Sequence, residues 1–294
     1  MERCSFVLRV ARTQYVASQD DPHDRHWLPL LRGYLDLPQR SVGTAPSINR
    51  VLQSVILDRE HVASVFNNVT RARDNARAVQ DHITKEMWQC LNDYHHVIRE
   101  ERILNGLTGG DPITVLDELL RHAMLYHGVT DSTMARGESN HFLNIGKFLE
   151  RAVLGLSLIE HTLEAGYDTA EQSDVTGWRS LLFSLSGFEI YMKTYRGGIQ
   201  PNAVVELALQ NPLFPNSCMY CLDHLVDHIE GLPADSGDPG LERMRFLVGK
   251  ARHVLKYDSV SQPSASILAA FLVRMQQEFL AVAHGCDEWY FGAK

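Results

Sequence analysis

The sequence predicts an all-α protein, a multi-helix bundle of mostly antiparallel helices. Nearly every long segment repeats its apolar residues at spacings of three and four, and no alternating β-run survives inspection. The clearest case is FLNIGKFLERAVLGLSLIEHTL. There Phe142, Ile145, Leu149, Ala152, Leu156, Ile159 and Leu163 form one seam, while Leu154 and Leu158 with Gly146, Gly155 and Ser157 cover the other side. A helix apolar nearly all round is buried in a bundle. Glu150 and Arg151 interrupt it, and a buried charge must be paired. They are expected to be buried and to face something specific.

The elements follow in order. Met1 to about Ser18 forms a helix that begins in mid-turn, ended by Asp20-Asp21-Pro22. Trp27 to Leu35 is short and helical, closed by Pro38, and Gly43 to Pro46 is a loop. Pro46-Ser47 starts a helix carrying Ile48, Val51, Leu52, Val55 and Ile56. A polar-rich helix covers about Glu60 to Val79. After a break near Asp81 to Thr84, a helix continues through Trp88 to about Leu104. Gly106, Gly109, Gly110, Asp111 and Pro112 break the chain. Ile113 to Tyr126 is helical, and Asp131 to Ala165 is a long central helix stopped by Gly166. Thr176 to about Tyr195 is helical up to Gly197-Gly198, and Pro201 to Leu209 is short. Pro212 and Pro215 make an elbow, with Asn216 or Ser217 capping a helix to Ile229. Leu241 to Lys256 and Ser264 to His284 close the chain.

The opening Met1-Glu2-Arg3-Cys4 lines up with Leu149-Glu150-Arg151-Ala152, which points to an internal duplication. The 1–294 domain is therefore read as two pseudo-repeats of about 1–110 and 111–294, with the two Glu-Arg helices side by side. Leu241-Glu242-Arg243 reads as an exposed coincidence.

Composition limits the function. The net charge of −8 argues against nucleic acid and against an anionic membrane, since both reward a basic surface. Five cysteines in a chain of this length read as reduced thiols of a cytoplasmic protein. No apolar run approaches the roughly 20 residues of a membrane span, and no signal peptide is visible.

Few residues carry chemistry by pattern. Arg73 and Arg77 share a helix face and suit a carboxylate, a phosphate or a bridge to a neighbouring helix. Trp88 is expected in the core with its N–H bonded, and Glu86 in a first turn or paired with an arginine. Cys218, Cys221, His224 and His228 imitate metal spacing, yet ten helical residues rise about 15 Å, so the outer two cannot share one ion. No metal and no cofactor is expected. No nucleophile elbow, phosphate loop or dinucleotide fingerprint is present.

The two Glu-Arg segments, RARDNARAV at 71–79, KEMWQCLN at 85–92 and GKFLERA at 146–152, taken together in order, resemble the bacterial alpha-E domain family. RDNAR at 73–77 resembles that family's R-E-N-A-R segment with Asp74 in place of glutamate. Tyr191, Tyr195 and the Pro215–Ser217 elbow fit too, although Asn216 stands where the family pattern has arginine. The pattern also places a further half-helix before the first motif, so a segment is expected to be missing here. Members of the family are often encoded beside, or fused to, a circularly permuted ATP-grasp protein and a transglutaminase-like peptidase. The resemblance therefore implies a helical subunit, non-catalytic or co-catalytic, acting with an ATP-grasp ligase on a peptide. Glu2, Arg3, Arg73, Asn75, Arg77, Glu86, Glu150 and Arg151 are the binding candidates, most of them forming an internal polar cluster. Two alternatives stay open. One is a stand-alone enzyme with Glu150 as acid or base and Arg73, Arg77 and Arg151 gripping a carboxylate or amide substrate. The other is a pure interaction scaffold.

Overall fold

A computed structural model describes residues 1–20, 47–165, 175–233, 238–258, 264–290 and 292. The short helix expected at Trp27 to Leu35, the Gly43 loop and the Gly166 stop lie outside them. The described residues form thirteen α-helices and one short 3-10 turn, with no strand. They divide into two compact units, Met1–Ala135 and Arg136–Lys294.

The first unit holds α1 (Glu2–Asp20), α2 (Ile48–Leu57), α3 (Val65–Ala78), α4 (Lys85–Val97), α5 (Glu101–Thr108) and α6 (Pro112–Thr133). Ser47, Ser64, Thr84 and Asp111 cap α2, α3, α4 and α6 with side-chain oxygens, so these helices start where a local acceptor satisfies their orphan N–H groups. Helices α1, α3, α4 and α6 close a ring in chain order. Arg12 bonds Asp117 at 2.5 Å, and Tyr94 stacks on His122. Phe6, Leu8, Met87 and Tyr94 are fully buried between them.

Three boundaries differ from expectation, each for a local reason. Helix α3 starts at Val65, not Glu60, because the Asn67 amide donates to the carbonyls of Arg59 and His61 at 2.9 and 2.8 Å and holds that stretch in a turn. The helix expected to run from Trp88 to Leu104 breaks at Ile98–Glu100. Ile98 and Ile103 are both buried, and a five-residue step would rotate one of them off the seam of a straight helix. Helix α6 runs past Tyr126 to Thr133 because Thr130, Ser132 and Thr133 hydroxyls donate back to the carbonyls of Tyr126, Gly128 and Val129. They extend α6 and do not cap the next helix. The first compact unit consequently closes after α6, since α6 packs on α1 and α4.

The second unit holds α7 (Glu138–Glu164), α8 (Thr176–Ser184), α9 (Phe188–Thr194), α10 (Pro201–Gln210), α11 (Cys218–Glu230), α12 (Pro239–Tyr257) and α13 (Ala265–Tyr290). Helices α7, α11, α12 and α13 close a second ring in chain order. Contacts fix the directions: Phe142 meets Tyr290 and Glu160 meets Gln276, while Lys250 meets Glu278 and Asp258 meets Arg274. Neighbours in the ring run antiparallel, as in four-helix bundles. In each unit a Glu-Arg helix closes a ring with three later helices, α3, α4 and α6 with α1, and α11, α12 and α13 with α7.

Thr176–Tyr195 is two helices, not one. Ser186 turns with φ 56°, and the buried Phe214 ring lies where a Cβ on Gly187 would meet it at 2.8 Å. The Tyr191 hydroxyl accepts from the Gln200 N–H at 2.9 Å and donates to the Gly198 carbonyl, pinning the loop before α10. Helix α13 has the length and mean hydropathy of a membrane span, although no unbroken apolar run that long stands in the sequence. Its Leu268, Phe271, Leu272, Met275, Phe279 and Val282 are buried in the bundle, while Ile267, Val273 and Leu280 are exposed.

Candidate functional site

The second Glu-Arg pair lies midway along α7, on the seam with α11. Both Glu150 and Arg151 are half-buried, not buried. Arg151 donates from Nη1 to the Pro215 carbonyl at 3.1 Å, and its guanidinium lies over the Phe148 ring at 5.5 Å. The elbow it grips is built locally. The Ser217 hydroxyl caps α11 by accepting from the Tyr220 N–H and donates to the Asn211 carbonyl. The Asn216 amide donates to the Leu185 carbonyl at 2.8 Å, so this asparagine ties the elbow to the end of α8.

Phe148 is the hub of this seam. It is buried and stacks on His224 at 4.8 Å and 10°. His228 stacks at 5.8 Å, and the Lys147 ammonium sits 4.7 Å from the ring centre. His228 in turn shares a hydrogen bond with His141, Nδ1 to Nδ1, at 3.2 Å. The His141 ring fits because residue 231 is glycine, where a Cβ would lie 2.2 Å from the ring. His228 therefore partners His141 on α7, not His224 one turn away on α11. The metal-like spacing of Cys218, Cys221, His224 and His228 brought out His228, but no pattern in the sequence pointed to His141, Lys147 or Phe148.

The histidine pair implies a pH response. Burial, then the facing His141, His224 and Lys147, push His228 from 6.5 down to about 4, with Asp227 opposing. Below pH 6.5 the unfolded chain binds the proton more readily than the folded one. This site's contribution is therefore complete above pH 6.5 and is lost as pH falls towards about 4. Allowing for solvent screening, the loss is about 1 kcal/mol. Urea melts at neutral and acid pH should show a smaller pH dependence for His228→Asn than for the parent. Equal dependence would rule this origin out.

The first pair behaves differently. Glu2 is buried, with its carboxylate 3.5 Å from His127 Nε2 on α6, and Arg3 is half-buried. Arg73 donates to the Asn92 side chain at 2.6 Å and covers the Trp88 ring at 5.5 Å. Trp88 is half-buried and Asn75, Arg77 and Glu86 are exposed, so Trp88 is not a core residue and those three side chains do not enter the interior. Each unit thus carries its own Glu-Arg pair. Glu242 and Arg243 are exposed on α12, as expected of a coincidental match.

Nucleophilic chemistry finds little support. All five cysteines are buried. Burial pushes the Cys90 and Cys286 thiols up to about 11 and Cys218 well above its ordinary value, which keeps them protonated and unreactive. Among the described residues no three His, Cys, Asp or Glu side chains converge as metal ligands.

The fold and site define a class: a helical protein whose bundles are organised around Glu-Arg helices. The chain belongs to the Alpha-E family, described as a predicted alpha-helical domain with a conserved ER motif, which matches residues 1–291. Uncharacterised proteins of Mycobacterium bovis and Mycobacterium tuberculosis are 26% identical to it over 207 residues. That match covers 69% of this chain and 23% of each relative, so the chain spans under a quarter of the length of the curated relatives it matches. No solved structure matches it.

Proposed function

We propose that this protein is a helical accessory subunit of a circularly permuted ATP-grasp ligase, in a cytoplasmic peptide-synthesis or protein-modification system that also uses a transglutaminase-like peptidase. The observation that carries this reading is the Arg151 contact with the Pro215 carbonyl. The motif's arginine holds a backbone carbonyl, which is what an architectural motif requires. The curated relatives support it as well, because in them the matched region is a minor part of a longer chain. Such a region works beside other domains. The enzyme alternative, with Glu150 and the three arginines around one substrate, has less support, since Arg77 is exposed and does not enter the interior.

The test is co-purification of the tagged chain with a circularly permuted ATP-grasp ligase from the same organism, followed by ATP turnover with and without the chain. Retention of the ligase and a rise in turnover are expected. No retention together with unchanged turnover would sink the reading.

A further inference from the structure

Two arginines of the first unit converge on one aromatic ring. Arg59 stands in the turn between α2 and α3, and Arg99 in the link between α4 and α5. Their guanidiniums lie 4.9 and 5.6 Å from the centre of the Phe66 ring, in the first turn of α3. Both arginines are held in place. The Asn67 amide donates to the carbonyls of Asp58, Arg59 and His61, which fastens the turn that carries Arg59. Arg99 donates from Nη1 to Nε2 of the buried His95 at 3.1 Å. Burial, then Arg99, Arg73 and His96, hold the pKa of His95 down, with Asp74 opposing. The neutral ring accepts through Nε2, so its proton sits on Nδ1. That nitrogen is buried and has no hydrogen-bond partner. Leaving a buried donor unmet is costly, and here the cost accompanies the fixing of Arg99.

Neither guanidinium is neutralised. Glu100, beside Arg99, pairs with Arg102. The Asp58 carboxylate accepts from the Glu60 N–H at 2.9 Å, and Glu60 is exposed. Among the described residues Arg59 and Arg99 form no ion pair. On a chain of net charge −8 this is an uncompensated pair of cations, and like charges gathered at one ring repel. Both side chains are exposed, so an anion can reach them and relieve that repulsion. The number of forks selects the anion. A carboxylate has two oxygens and is satisfied by one guanidinium. A terminal phosphoryl group has three oxygens and nearly two charges, so it can meet two. We propose that Arg59 and Arg99 form a clamp over Phe66 for a terminal phosphoryl group, carried by a phosphate monoester or by inorganic phosphate. The clamp stands on these residues and not on the ligase partnership, and a direct titration answers it whether or not a ligase is captured.

The probes are inorganic phosphate and O-phosphoserine, each titrated with the full chain and followed by its phosphorus NMR linewidth. Saturable broadening is expected, and acetate at equal ionic strength should not remove it. Arg59→Gln and Arg99→Gln are surface changes that should fold normally and weaken binding about tenfold each. The double variant should not bind. Arg243→Gln is the control, because Arg243 is an exposed arginine that also lies over a phenylalanine, Phe246. It should bind like the parent. Tighter binding of O-phosphoserine would assign the clamp to an esterified group, and tighter binding of inorganic phosphate to the free ion. No saturation with either probe, displacement by acetate, full binding by the double variant, or an equal loss in Arg243→Gln would overturn the proposal.

Discussion

Phe148→Ala is expected to destabilise the second unit by about 3–5 kcal/mol, the usual cost of removing a buried aromatic ring. The ring is 5% exposed, and its faces and edge meet His224, His228 and Tyr220. Two cations, Lys147 and Arg151, rest against it. Truncation leaves a cavity and strips both cations of their aromatic partner, each contact being worth about 0.5–1 kcal/mol where exposed and more where desolvated. At about 2–4 °C per kcal/mol for a unit of this size, the melting temperature should fall by about 10 °C. Phe148→Leu keeps most of the volume and should lose less than half as much. An unfolding free energy from urea melts within about 1 kcal/mol of the parent for Phe148→Ala would show that the seam does not depend on this ring.

Arg151→Ala is expected to cost about 2 kcal/mol, within the range for a hydrogen bond made by a charged donor. Because Glu150 and Arg151 are half-buried, the larger penalty for stranding a fully buried partner charge does not apply. The loss should be local. Without the guanidinium, the Pro215 carbonyl loses its donor and the elbow at Asn211–Ser217 should become the first site of limited proteolysis. Arg151→Lys should recover only part of the stability, because an ammonium lacks the planar fork. If Arg151→Ala melts like the parent and the assembled system loses ATP turnover, the motif faces a ligand, and the enzyme reading moves ahead of the architectural one. Changing Glu150 and Arg151 together to uncharged residues of similar volume should preserve turnover if the motif is architectural.

Much of the fold was legible in the sequence because helix formation is decided within four residues. Ser47, Thr84, Asp111 and Ser217 announce helix starts through oxygens that reach N–H groups two or three positions on. The three-and-four spacing of Ile145, Leu149, Ala152, Leu156 and Ile159 names their buried face. Where the local reading failed, two local outcomes competed. Asp131 to Thr133 could open the central helix or extend the preceding one, and packing of α6 on α1 and α4 chose the second. The family match, too, was carried by short motifs in order along the chain.

The site is another matter. The sequence alone determined an all-α chain, most of its helix starts, its buried faces and the Glu-Arg motifs. The tertiary structure decided what those motifs touch. Arg151 meets a carbonyl 64 residues away, and His228 finds His141 at a separation of 87. It also decided that Phe148, an ordinary apolar position in the heptad, carries two cations and two imidazoles. The physical reason is range. Propensity, capping and amphipathicity act over one helical turn and are written in neighbouring residues. Hydrogen-bond partners, desolvation and charge pairing act between surfaces that meet only once the helices have closed their rings, and no spacing along the chain records which surfaces those are.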